Sequence, residues 1–206
     1  MAYQTVWYNT ELPEDIIDIL VNDLYRYDTT MEDSRLSGDV IRPETRNSQN
    51  SWVPSHHWIS GFLWHYVQRV NREIFLYDLS HIDGGSIQYT RYQKGQYYNW
   101  HSDASLPIFY TPQSNEKDRG ILAEEDFIKI NCEQVRKLSF VLQLSNPEDY
   151  TGGNLQLLGD NGKSYFAPRQ RGTLIFFDSR TPHRVLKVKS GERRSLVGWV
   201  VGPRWK

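Results

Sequence analysis

The sequence has a single cysteine, Cys132, so no internal disulfide can staple the fold, and this usage fits a reducing interior. It has no apolar run approaching the roughly 20 residues that span a bilayer, and its first residues lack a signal-peptide pattern. We therefore expect a chain of the cytoplasm or another reducing compartment, with no membrane partner. It has almost no excess of either charge, the formal net charge being −1. That excludes a broad nucleic-acid-binding surface and leaves at most a local basic groove. It has no internal repeat and no low-complexity segment. What remains is a chain of 206 residues, the size of one compact domain able to bury its own core.

What is abundant is aromatic: seven tryptophans and thirteen tyrosines. Such side chains ordinarily fill cores and sheets, and they also line grooves. Residues 13–27 predict a helix, with Pro13 in the first turn, Glu14 and Asp15 at its positive end, and Ile16, Leu20 and Leu24 at spacing four. Residues 28–54 are polar and interrupted by Gly38, Pro43 and Pro54, and predict irregular structure with one short strand. A second helix is expected over 55–77, with Ser55 as N-cap and Trp58, Phe62, Tyr66, Val70 and Ile74 on one face.

After Asp83-Gly84-Gly85 the period changes to that of strands: 86–92, 97–103, 137–144, 154–158, 164–167, 173–178, 184–188 and 194–201. Asp160-Asn161-Gly162 marks a hairpin. Residues 104–136, with Pro107 and Pro112, are an insertion longer than a turn needs. The expected fold is mainly β, a double-stranded β-helix (jelly-roll) core braced by N-terminal helices. Residues 1–85 form a helical and irregular support and residues 86–206 the core of one compact catalytic domain.

His101 and Asp103 are two apart on an expected strand, so both face the interior while Ser102 faces out. H-x-D alone decides nothing, since a histidine beside a capping aspartate looks the same. His183 changes the weighting. It follows an apolar strand and the Pro182 turn, where a partner strand would begin opposite the first pair. Two histidines and a carboxylate can hold ferrous iron on one face and leave the other open. His56, His57, His65 and His81 read as ordinary, the adjacent His56 and His57 diverging on a helix. Arg193 and Ser195 share a strand face and together can grip a carboxylate, whereas Arg194 faces outward.

In this order the motifs are those of a known family. The stretch from Arg91 through Asp103, then Arg136-Lys137-Leu138-Ser139, Tyr150-Thr151-Gly152-Gly153-Asn154-Leu155, Pro182-His183 and Gly191-Glu192-Arg193-Arg194-Ser195 resemble the prolyl-4-hydroxylase-type Fe(II)- and 2-oxoglutarate-dependent dioxygenases over about 86–201. The resemblance implies Fe(II) on His101, Asp103 and His183, which are then also the catalytic residues. It implies 2-oxoglutarate with its far carboxylate on Arg193, ten positions beyond the last histidine, and on Ser195. Dioxygen would be consumed, succinate and CO2 released and a C–H bond hydroxylated, with ascorbate as a reductant. Asp103 favours hydroxylation, because halogenating relatives usually lack that carboxylate. Tyr92 falls at a pocket position for the cosubstrate, as does Gln143, where many relatives have tyrosine and where an amide can donate the same bond. Tyr98 and Trp100 fall where substrate would pass, and Tyr97 and residues 104–130 could help shape a groove.

The resemblance makes a prolyl residue of a peptide or protein the first expected substrate. A free amino acid or small metabolite would use the same core. Nucleic-acid demethylation is disfavoured, because those relatives carry a second arginine six residues beyond the first, where this chain has Trp199. A jelly-roll binding module with a dead site needs a lost ligand, and all three are present.

Overall fold

The computed structural model describes residues 6–9, 12–36, 41–104, 108–109, 133–159, 161–203 and 205. In chain order the elements are β1 (Val6–Asn9), α1 (Glu14–Leu24) continuing as a tighter turn at Tyr25–Thr30, β2 (Glu32–Asp33), β3 (Arg46–Asn47), β4 (Gln49–Pro54) and α2 (Trp58–Val70). Then come β5 (His81–Ile82), β6 (Ser86–Tyr92), β7 (Tyr97–His101), β8 (Ile108–Phe109), β9 (Glu133–Gln143), β10 (Tyr150–Gly152) and β11 (Leu155–Leu158). The last are β12 (Ser164–Phe166), β13 (Leu174–Asp178), β14 (His183–Val185), β15 (Val188–Gly191) and β16 (Arg193–Pro203).

All strand pairs are antiparallel. The larger, nine-stranded sheet runs β1-β13-β9-β16-β6-β4-β2, with β5 and β8 attached to β16 and β9. A five-stranded sheet runs β12-β11-β14-β7-β3, and β10 pairs with β15. This is the expected double-sheet jelly roll. The polar segment 28–54 departs from expectation: it supplies three strands, β2, β3 and β4, and β1 adds a fourth before the first helix. β1, β3 and β4 look irregular because their partners, β13, β7 and β6, lie far along the chain and provide the ladder that local sequence cannot announce, and β2 pairs in turn with β4. Most of the 104–136 insertion lies outside the described residues, as does Asp160 of the Asp160-Asn161-Gly162 turn.

Period-two alternation divides the large sheet into two faces. Tyr89, Leu138, Phe140, Leu142, Leu174, Phe176, Leu196 and Val200 point to the helices, where Ile17, Leu20, Leu24, Ile59, Leu63, Val67 and Val70 meet them. Tyr92, Val141, Ile175 and Phe177 point the other way, onto Leu155, Leu157, Val185 and Val188 of the smaller sheet and its neighbours. The site lies in this second layer, so the helices brace it from behind. Each fully buried Leu or Phe on the helix side is worth about 1.5–3 kcal/mol of apolar transfer.

The register of α2 differs from the sequence reading by one residue. Its buried face is Ile59, Leu63, Val67 and Val70, while Trp58, Phe62 and Tyr66 form an edge-on aromatic ladder along its flank. Its cap is His57 rather than Ser55. The His57 Nδ1 accepts from the Ile59 amide at 3.4 Å, leaving Nε2 to donate to Asp23 of α1 at 3.1 Å. Leu20 and Leu24 are buried in α1 as expected, with Ile17 rather than Ile16 as the deepest first-turn residue.

Candidate metal centre

β7 and β14 lie side by side with His101 directly opposite His183. The two rings sit 4.1 Å apart, centroid to centroid. Tyr98 stacks on His101 at 3.6 Å and Phe177 meets His183 edge-on at 4.7 Å, which fixes both imidazole planes. Asp103 is not on the strand, as alternation had implied; β7 ends at His101. A bend brings Asp103 back instead. Its backbone N–H donates to Ser179 O at 2.9 Å, and its Oδ2 accepts from Ser139 Oγ at 2.7 Å. Ser139 and Ser179 are themselves joined at 2.9 Å.

The protons are held away from the centre. His101 Nδ1 donates to Asn99 O at 2.8 Å and His183 Nδ1 donates to Thr181 O at 3.0 Å, since a carbonyl can only accept. Both Nε2 lone pairs therefore face the Asp103 carboxylate, at 3.8 Å and 3.6 Å. The three ligand atoms lie within 4.8 Å of one another. Burial, with His183 beside it, depresses the His101 pKa to about 3, so the imidazole stays neutral. Burial pushes the Asp103 carboxyl up, but the group is held below its ordinary value, with the Ser139 hydroxyl donating to it and the Arg136 guanidinium nearby. Lone pairs and a carboxylate converging with no proton between them make a cation site, and the N,N,O donor set suits a divalent transition metal such as Fe(II).

The same cavity is lined by His101, Asp103 and His183 and by Tyr92, Arg193 and Ser195. Arg193 is 2 % exposed. Its Nη2 donates to Gln143 Oε1 at 2.8 Å and its Nη1 to Ser195 Oγ at 3.3 Å, while its Nε has no partner. A buried guanidinium held only by neutral oxygens, with a donor left over, is built to receive an anion. A dicarboxylate with one end on the metal fits that arrangement.

Gln143 departs from expectation. One of its amide N–H groups donates to Pro168 O at 3.2 Å, and its oxygen faces Arg193. It orients the arginine. Trp100 also stays out of the cavity: it is 41 % exposed and carries the Arg184 guanidinium on its ring at 4.7 Å. Tyr92 and Tyr98 both line the cavity. Arg194 points away, bonded to Asp28, Glu192 and Tyr89. Sequence reasoning placed Ser139 within a family motif without assigning it to Asp103. It missed Ser179, Gln88 and Arg46, for which no local signal exists. A separate cleft of about 390 Å³ opens beside α1, but its cations are already paired, Arg171 with Glu14 and Asp18, Arg194 with Asp28 and Glu192.

A jelly roll with two histidines and an aspartate beside an uncompensated buried arginine defines a metal-dependent oxygenase type of site. Residues 87–201 match the model of the 2OG-Fe(II) oxygenase superfamily, 2OG being 2-oxoglutarate, and the chain belongs to that superfamily. Among curated relatives, a PKHD-type hydroxylase of Parvibaculum lavamentivorans is 44 % identical over 63 residues, which is 31 % of this chain and 28 % of the relative. One of a Synechococcus species is 34 % identical over 116 residues, 56 % of this chain and 42 % of the relative. The chain thus spans less than half the length of these relatives. Among solved structures, a prolyl-4-hydroxylase of Pseudomonas putida superposes with a TM-score of 0.67 at 21 % identity, covering 98 % of this chain and 94 % of that one. A prolyl hydroxylase of Trichoplax adhaerens, in complex with a hypoxia inducible factor peptide fragment, gives 0.71 at 16 % identity over 95 % and 83 %. No helix among the described residues is long and apolar enough to cross a membrane.

Proposed function

We propose that this protein hydroxylates a C–H bond of a prolyl residue in a peptide or protein, using Fe(II), 2-oxoglutarate and dioxygen. The observation that carries the reading is the convergence of His101, Asp103 and His183 in one cavity with the uncompensated Arg193. The three ligands would hold Fe(II) through two neutral nitrogens and one carboxylate oxygen. Arg193 and Ser195 would take the distal carboxylate of 2-oxoglutarate, with Gln143 fixing the guanidinium plane. Ser139 keeps Asp103 turned toward the histidines. Val141, Leu155, Phe177 and Val185 wall the cavity with apolar surface, which limits water and strengthens every charge contact inside.

Iron with its cosubstrate and dioxygen supplies an oxidant strong enough to take hydrogen from carbon, releasing succinate and CO2. The protein's part is to orient the three groups and exclude competing reactions. Asp103 fills the ligand position that a halide would need, which favours hydroxyl return over halogenation. Ascorbate belongs to this reading only as a reductant that keeps iron ferrous. The prolyl substrate draws on the names of the relatives and neighbours above, and the iron chemistry on the site itself.

The test is incubation of the protein with Fe(II), 2-oxoglutarate, ascorbate and a library of proline-containing peptides under air. The expected result is one oxygen atom gained on proline for each succinate formed, abolished in His183→Ala. Oxidation of another residue type would replace the prolyl assignment, and no succinate with any peptide would count against peptide substrates.

A further inference from the structure

Arg46 has no part in the chemistry so far, yet it lines the same cavity as the metal ligands. It stands in β3, opposite Tyr98, and is 8 % exposed. Its Nε donates to Ser48 Oγ at 3.0 Å, which donates onward to Ser34 Oγ at 2.8 Å. Its guanidinium lies over the Tyr98 ring, 4.8 Å from the centroid. No carboxylate pairs with it among the described residues, and the Tyr98 ring offers a π face but no counter-charge. A guanidinium does not shed its proton, and a cation taken out of water without a partner is costly.

Two further donors share the cavity without a partner: Gln88 Nε2 on β6 and Trp199 Nε1 on β16. Charge balance sharpens the point. With Fe(II) and 2-oxoglutarate bound as proposed above, iron and the dicarboxylate cancel, and Asp103 and Arg193 cancel. Arg46 is left over.

We propose that Arg46 binds a carboxylate of the substrate, so that this oxygenase selects acidic substrates: either an acidic side chain near the oxidised residue of a peptide, or the carboxylate of a free amino acid. The inference rests on the oxygenase reading of the site. Arg46 thereby acts as a specificity residue, with Gln88 and Trp199 available to the neighbouring carbonyl oxygens.

The experiment compares acid and amide partners on the full chain loaded with Fe(II) and 2-oxoglutarate. One arm uses blocked peptides with Glu before or after proline and their Gln counterparts. The other uses L-proline and L-prolinamide. The readout is kcat/KM for succinate formation, with folding of each variant checked by thermal unfolding. The expected result is an acid-over-amide preference of about tenfold or more in one arm, that arm identifying the source of the carboxylate. Arg46→Gln should bring the ratio to within about twofold of unity, while Arg46→Lys keeps its sign at reduced size. Should the Gln variant fail to fold, the Lys variant carries the test. Equal response to acid and amide in the wild type, including none to either, overturns the proposal, as does a preference that survives Arg46→Gln. Failure of the wild type to assemble iron with 2-oxoglutarate, read as an absent visible charge-transfer band, would instead overturn the underlying reading.

Discussion

Arg193 and Arg194 are neighbours in sequence with opposite surroundings, and the difference is decided by one step of strand alternation. Arg193 enters the cavity, where Gln143 and Ser195 accept from it and it lies over the Tyr92 ring. Arg194 faces the helix side, where it brackets β16 to Asp28 and Glu192. Arg193→Ala should raise the 2-oxoglutarate requirement about tenfold or more, whereas Arg194→Ala should leave it nearly unchanged and cost about 1–3 kcal/mol of stability. The reverse ranking would mean that the strand register is wrong. Ser139→Ala should weaken iron binding about 10–100-fold by freeing the Asp103 carboxylate; unchanged affinity in a metal titration would make Ser139 a packing residue only. Alternation made the two arginines separable from sequence, and the structure turns Arg193 into the cavity and Arg194 away from it. The role of Gln143 was not legible, because it depends on a carbonyl at Pro168 that strand pattern cannot place.

β9 and β16 show how an element carries both the core and the site. Their odd-numbered positions from Ser139 to Gln143 and from Arg193 to Trp199 face the cavity, and the even ones face the helices. Gly198 is opposite Phe140, and a Cβ there would land inside the Phe140 ring. Gly198→Ala should destabilise the fold by about 1–3 kcal/mol through overpacking, and adding Phe140→Leu should recover part of that loss. Additive destabilisation in thermal unfolding would show that the contact is not the cause. Most strands from β6 onward were legible from their apolar pattern, but the short β8, β10 and β15 were not. β2, β3 and β4 were not, being polar, with β3 and β4 held by distant partners and β2 by β4 in turn. The face of α2 was misjudged by one residue because its aromatic ladder mimics a buried stripe.

At the scale of the molecule, residues before β6 are woven into the fold rather than laid on it. β3 brings Arg46 beside the metal ligands, and the Tyr77 hydroxyl donates to Asp178 at 2.6 Å across 101 positions of sequence. Burial pushes the Asp178 carboxyl up, but hydrogen bonds from Arg180 and Tyr77 outweigh it and hold the group below its ordinary value. The folded state therefore takes up fewer protons here than the unfolded one in acid. The stabilisation is present above about pH 4 and is lost as pH falls through the depressed folded value. Asp178→Asn should accordingly be less stable than wild type at neutral pH, with the gap closing below about pH 4. A gap constant with pH in denaturant titrations would show that the charge is not what matters. The jelly roll and the clustering of His101, Asp103 and His183 could be read from motif order, but long-range ties such as Tyr77 to Asp178 leave no local pattern.

The central claim is that His101, Asp103, His183 and Arg193 form one site for iron and its cosubstrate. Anaerobic titration of metal-free protein with Fe(II) and 2-oxoglutarate tests it most directly, through the visible charge-transfer band of the chelated cosubstrate. The account predicts a saturable band that is lost in His183→Ala and shifted to higher 2-oxoglutarate concentration in Arg193→Ala. A folded wild-type protein that gives no band, or a band indifferent to both substitutions, would contradict it.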